Sequence, residues 1–195
     1  MSLGPTKSAR AESVKVRRGA LPPPDVSRET MELDVLIVGG GSAGLSCALR
    51  LTQMIEAHND AHPENKMEPQ IAVIEKGIEI GAHSFSGAVL NPSALKELVP
   101  NYKELGCPIE SDVLKDAVYY LGKSGAFKLP ITPPPFQNHG NHIVSVSQLN
   151  RWLGGLCEQK GVNIFPGFAA AEVLYDGERV VGVRTGDKGL DKNGQ

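Results

Sequence analysis

Cysteine is scarce in this 195-residue sequence: Cys47, Cys107 and Cys157 are the three that occur, separated by 60 and 50 residues. No C-x-x-C pair exists, so neither a zinc site nor a run of cluster ligands can be built from them. An odd number of widely spaced thiols points to a reducing compartment and to buried free cysteines. Cys47, on what reads as a buried helix, is expected in the core. A basic excess is missing as well. The formal charge is −2, whereas a general nucleic-acid binder needs a basic face to displace counterions from phosphates, so nucleic acid is excluded as a partner. Long hydrophobic runs are also absent. No stretch reaches the roughly 18–20 apolar residues that a spanning helix requires.

What is present is enough for a core. Hydrophobic residues make up 41% of the chain, which fits one domain or part of a larger one and excludes wholesale disorder. Residues 1–30 stand apart. They carry a net charge of +3, leaving −5 for the remainder, and end near Pro22-Pro23-Pro24 without any hydrophobic period. This reads as a disordered basic leader. Its first twenty residues hold one acid, a pattern shared by organelle transit peptides and disordered bacterial leaders.

Order begins with Leu33-Asp34-Val35-Leu36-Ile37-Val38, a short apolar run of the kind found in buried parallel strands. Gly39-Gly40-Gly41-Ser42-Ala43-Gly44 follows, then a helix to about Ala57. A polar loop returns the chain to Gln70-Ile71-Ala72-Val73-Ile74-Glu75, completing a βαβ unit. From Ile80 to Leu95 there are sixteen residues without an Asp, Glu, Lys or Arg. Within them Asn91-Pro92 marks the start of a short helix. Residues 113–121 and 126–131 read as two strands joined by Gly122-Lys123-Ser124-Gly125. A strand over 142–146 precedes a helix capped by Ser147 and striped by Leu149, Trp152, Leu153, Leu156 and Cys157. Val162 to Phe165 returns to the sheet, and two strands flank Asp176-Gly177, a strong hairpin signal.

The chemistry lies in Gly39-x-Gly41-x-x-Gly44. In the dinucleotide fingerprint the first glycine permits the tight turn, the second lets a pyrophosphate approach the backbone, and the third lets helix pack on strand. The phosphates would meet the free N–H groups of the helix N-terminus. Glu75 ends the next strand, where a carboxylate can accept hydrogen bonds from a ribose diol. It lies 31 residues beyond Gly44, later than the usual ~20, and the polar crossover loop explains the delay. The fingerprint alone leaves NAD and FAD open. The element order favours FAD: a Rossmann half, an inserted β region, a return to the sheet and a final hairpin match the Rossmann-like FAD-binding domain of the glutathione-reductase type.

Lesser constellations are weaker. His139-x-x-His142 lacks a third ligand for a metal. His83 beside Ser84 and Ser86 has no strained G-x-S-x-G elbow, so a hydrolase is not indicated.

Four stretches are more particular than the fold: DVLIVGGGSAGLSCALRL, IEKGIEIGAHSFSGAVLNPSALKELVP, NHGNHIVSVSQLNRWLG and GVNIFPGFAAAEVLYD. Through them residues 29–190 closely resemble the N-terminal part of the electron transfer flavoprotein–ubiquinone oxidoreductase family. The resemblance implies that FAD accepts electrons from electron transfer flavoprotein, that a [4Fe-4S] cluster takes part, and that ubiquinone receives the electrons. It implies an FAD-binding segment from Val38 to Arg50, including Gly39, Gly40, Gly41, Ser42, Ala43 and Gly44. Glu75 would sit on the ribose with Lys76 beside it, and Ser86-Gly87 near the cofactor. Residues 81–102, Gly81 to Tyr102, correspond to the part of the family that dips into the membrane, with Phe85, Val89 and Leu90 in an exposed loop. The location implied is the inner membrane, on a mitochondrial matrix face or a bacterial cytoplasmic face. Three cysteines cannot supply a four-thiolate set, and the resemblance puts cluster and quinone sites beyond Gln195. The expectation is therefore a chain truncated at its C-terminus, holding the ADP-binding half of the FAD site in residues 31–195 and inactive alone. A geranylgeranyl-reductase-like dehydrogenase, which shares the fingerprint and an Arg-Trp-Leu helix, is the alternative enzyme. A non-catalytic FAD-binding module is the alternative outside enzymes.

Overall fold

In the computed structural model, residues 15–16, 29–85 and 87–186 are described. Ser86, expected near the cofactor, lies outside them, as do residues 1–14 and 17–28 of the basic leader. Two leader residues are placed: Lys15–Val16 form strand β1, pairing with Tyr175 and Leu174.

The central unit is βαβ. Strand β2 (Val35–Val38) leads into α1 (Ser42–Ala61), which returns the chain to β3 (Ile71–Glu75). The two strands are parallel, with Val35 opposite Ile71 and Val38 opposite Ile74. A third parallel strand, Asn163–Pro166, lies on the other side of β3. Ile71 to Ile74 are all buried, as a strand covered on both faces demands. Helix α1 runs one turn past the expected Ala57. Nothing in His58 to Ala61 breaks it, and Pro63 then bars the helical conformation from His62.

The inserted region holds strands β4 (Gly87–Leu90), β5 (Ile109–Asp112), β6 (Tyr119–Leu121), β7 (Ala126–Lys128) and β8 (His142–Ser145), with α2 (Ser93–Leu98) after β4. A 3-10 turn spans Pro134–Phe136. Strands β4, β8 and β5 form one antiparallel sheet with β8 central, and β6 pairs with β7. Residues 87–90 are therefore strand, not loop. Leu90 packs against the core, which removes it from the exposed set, whereas Phe85 is 89% and Val89 49% exposed. The expected strand over 113–121 contracts to β6. Its first half is tied to the 132–141 loop: Val113 N–H donates to Asn141 O, and Asn138 N–H to the Asp116 carboxylate, both at 2.9 Å.

Helix α3 (Val146–Gln159) follows β8 directly. Its cap is Ser145, whose hydroxyl accepts from Gln148 N–H, not Ser147, because β8 ends one residue earlier than its apolar run implied. Leu149, Leu153 and Cys157 are buried on α3, facing Leu45, Ala48 and Leu49 of α1 in one core, with Trp152 and Leu156 at its margin. Cys47 is exposed on α1 while Cys107 and Cys157 are buried. Cys47 falls between the buried positions Leu45 and Ala48 and points outward, correcting its core assignment. Beyond α3 come β9 (Asn163–Pro166), β10 (Ala170–Asp176) and β11 (Arg179–Thr185). The last two form the expected hairpin, turning through Gly177 at φ +64°.

Candidate functional site

The site is assembled where β2 turns into α1. Gly39 adopts φ +111°, a backbone conformation that side chains disfavour, and its N–H donates to Ile74 O at 2.8 Å. A Cβ on Gly44 would stand 2.0 Å from Gly39 O. Only glycine lets the helix close on the turn there. Gly41 differs: a Cβ at that position meets nothing within 4 Å, and its backbone at φ −85°, ψ 179° is open to any residue. Its missing side chain is not needed by the fold. The first helical hydrogen bond of α1 is Leu45 N–H to Gly41 O at 3.0 Å, so the N–H groups of Ser42, Ala43 and Gly44 precede it without helical acceptors. No acidic residue lies in that first turn. The positive end of the helix dipole faces outward at exposed Gly41, Ser42 and Ala43. A helix end of this kind is open to an anion.

Glu75, at the end of β3, reaches the same place. One carboxylate oxygen accepts Gly40 N–H at 2.8 Å and the other accepts Gly77 N–H at 2.7 Å. His83 Nδ1 stands 3.6 Å from the second oxygen. Burial works against the charged form, but the Gly77 and Gly40 N–H groups and His83 outweigh it and hold the carboxyl below its ordinary value. Glu75 is thus an ionised acceptor fixed against the glycine turn, with lone pairs left for a second donor. Lys76, next in the chain, is exposed.

Sequence reading missed two neighbours, Ile80 and Asn150. Ile80 packs over Gly40, where a Cβ would come within 2.4 Å of its methyl group. Gly81, at φ +83°, lies against the first turn of α3, with Ser147 O 2.6 Å from the Cβ it lacks. Asn150, 1% exposed, accepts from the Ser42 hydroxyl at 2.6 Å and donates to Ser84 Oγ at 3.0 Å. The signal for Asn150 was a carboxamide next to Leu149 on the buried stripe of α3. Gly87 connects more remotely, pairing in β4 with Ser145, the cap of α3. The other candidates stay apart. His142 is buried with Nε2 2.8 Å from the Tyr102 hydroxyl, and His139 Nδ1 lies 3.3 Å from Leu114 O.

No family model matches the chain. Its sequence is 46% identical over 168 residues to the mitochondrial electron transfer flavoprotein–ubiquinone oxidoreductase of Arabidopsis thaliana, covering 86% of this chain and 25% of that protein. The chain is a homologue of the electron transfer flavoprotein–ubiquinone oxidoreductases. The protein of that name from Pseudomonas aeruginosa is 47% identical over 173 residues, 87% of this chain and 30% of its own length. The chain spans 25–30% of the length of the curated oxidoreductases it matches. Solved structures show the fold. A geranylgeranyl bacteriochlorophyll reductase-like protein from Thermoplasma acidophilum superposes with a TM-score of 0.53 at 19% identity, over 78% of this chain and 34% of its own. A myxobacterial FAD-dependent chondrochloren halogenase gives 0.50 at 20% identity, over 84% and 34%. The fold is the Rossmann-like FAD-binding fold, and sequence likeness to the oxidoreductases far exceeds that to the reductase-like structure.

Proposed function

We propose that this chain holds the ADP half of FAD within an electron transfer flavoprotein–ubiquinone oxidoreductase. The pyrophosphate is received by the N–H groups of Ser42, Ala43 and Gly44 over the bare backbone of Gly41, and Glu75 accepts from the ribose. FAD, when bound, would supply the redox chemistry between electron transfer flavoprotein and ubiquinone. The residues here bind and orient it. The observation that carries the reading is the pairing of an ionised, backbone-anchored Glu75 with the open N-terminus of α1. Either alone is a common structural feature. Together they meet a ribose and a diphosphate at one spot. The [4Fe-4S] cluster and the quinone site belong, on this reading, to parts of the enzyme other than this chain.

Membrane contact is assigned to the apolar side chains that water now covers. No helix among the described residues is long and apolar enough to cross a membrane. Within 81–102, Leu95, Val99 and Tyr102 are buried, which leaves Phe85 and Val89 for lipid. The β6–β7 hairpin adds exposed Tyr120, Leu121 and Phe127, a two-stranded ribbon too small to be stable without something to lie against. Attachment through such side chains is interfacial, not spanning.

An absorbance spectrum tests the cofactor. The purified protein is expected to carry flavin bands that are released as FAD on denaturation. A preparation that neither retains FAD nor takes it up on addition contradicts the reading.

A further inference from the structure

Ser42 presents a difficulty at the phosphate cradle. It is the first residue of α1 and exposed, yet its single hydroxyl hydrogen is directed inward to Asn150 Oδ1 at 2.6 Å. An approaching phosphate oxygen would meet lone pairs there. Asn150 is the buried member of a three-residue chain. Its Nδ2 donates to Ser84 Oγ at 3.0 Å, and Ser84 keeps its own hydrogen. The segment leading into Ser84 is held against α3 at two points. Gly81 lies against Ser147 of α3, and Arg151 of α3 bonds Glu79 at 2.7 Å.

We infer that Asn150 is a positioning residue whose carboxamide reverses when a diphosphate binds. Half a turn of the carboxamide exchanges Oδ1 and Nδ2, which occupy nearly the same space. Nδ2 then donates to Ser42 Oγ, and the Ser84 hydroxyl donates to Oδ1. Both hydrogen bonds are preserved and no buried polar atom is orphaned. The Ser42 hydrogen is released outward, adding a side-chain donor to the backbone N–H groups of α1. Only a carboxamide can do this. A carboxylate accepts from both serines and cannot give a hydrogen back. This inference rests on the diphosphate reading above and adds to it a residue more than a hundred positions from the glycine motif.

The test is a double-mutant cycle on affinity, with FAD and ADP as probes and melting temperature as a check on folding. In the parent, Ser42→Ala removes a donor to a charged group and weakens binding about tenfold or more. In an Asn150→Asp background the Ser42 hydroxyl is locked onto the carboxylate, so Ser42→Ala changes binding less than twofold or improves it. A merely structural Asn150 would leave the Ser42 effect the same in both backgrounds, and that result overturns the inference. Should Asn150→Asp fail to fold, Ser84→Ala takes its place. It removes the hydrogen that satisfies Oδ1 after reversal, and it must likewise shrink the Ser42→Ala effect. An undiminished effect there overturns the inference equally. If the parent binds neither FAD nor ADP, the diphosphate reading itself has failed, a result distinct from an uncoupled cycle.

Discussion

Two glycines three residues apart in one motif are glycine for different reasons. Gly44 is needed by the fold, since an added methyl would meet Gly39 O at 2.0 Å. Gly41 is not, since an added methyl meets no protein atom within 4 Å, and on the proposed reading it is glycine to admit the diphosphate. Gly44→Ala is therefore expected to destabilise the protein by about 1–3 kcal/mol, as overpacking does, and to lower the denaturation midpoint. Gly41→Ala should leave that midpoint unchanged and reduce FAD retention sharply. Glu75 has a separate signature. Its two oxygens accept two N–H groups, whereas glutamine has one acceptor and would turn an NH₂ toward Gly40 or Gly77. Glu75→Gln should weaken FAD binding by roughly 1–3 kcal/mol and also lower stability. Because the folded carboxyl is held below its ordinary value, its stabilisation is complete above the unfolded value of about 4.3 and fades as pH falls through the folded one. The stability gap between parent and variant should close on acidification through that window. A gap that persists well below it would show that the charge contributes nothing. The glycines were legible in the sequence because backbone geometry fixes their spacing, and Glu75 because it ends the strand that follows the crossover. Asn150 was not, because its partners are 108 and 66 residues away.

At the scale of elements, periodicity revealed what faces the core and misjudged what pairs at its edge. The run that became β3 is apolar from Ile71 to Ile74 because both its faces are covered, whereas β2 and β9 flank it and stay partly exposed. The α3 stripe stood out by helical spacing. The 81–102 segment was less legible, since a sixteen-residue stretch without charge fits a loop, a strand or a helix equally well. It divides into the pinned turn around Gly81, edge strand β4 and helix α2. Leu90 faces inward and Val89 outward, as strand alternation requires. Replacing Phe85 and Val89 with serine in the full-length enzyme should reduce liposome co-sedimentation with FAD content intact. The same change at Leu90 should lower stability without specific loss of lipid binding. Serine at Tyr120, Leu121 and Phe127 tests the hairpin in the same assay. Unaltered co-sedimentation in both sets of variants would remove the described residues from the membrane contact.

For the molecule as a whole, the fold is a Rossmann-like FAD-binding half whose parallel sheet brings Glu75 beside the exposed N-terminus of α1. Hydrophobic patterning could place β2, α1, β3, α3 and β9 in order. It could not give the order β4-β8-β5, because the pairing partners lie far apart in sequence and the strands are short. An ionised carboxylate and a buried carboxamide converge on the bare end of α1, where the proposed dinucleotide diphosphate would sit. The most direct measurement is a flavin fluorescence titration of the parent and Gly41→Ala with FAD, repeated with ADP as competitor. Saturable quenching by the parent, displacement by ADP, and a marked loss of affinity in a Gly41→Ala variant of unchanged melting temperature are expected. Equal affinity in the two proteins, or binding that ADP does not displace, would place the cofactor somewhere other than the end of α1.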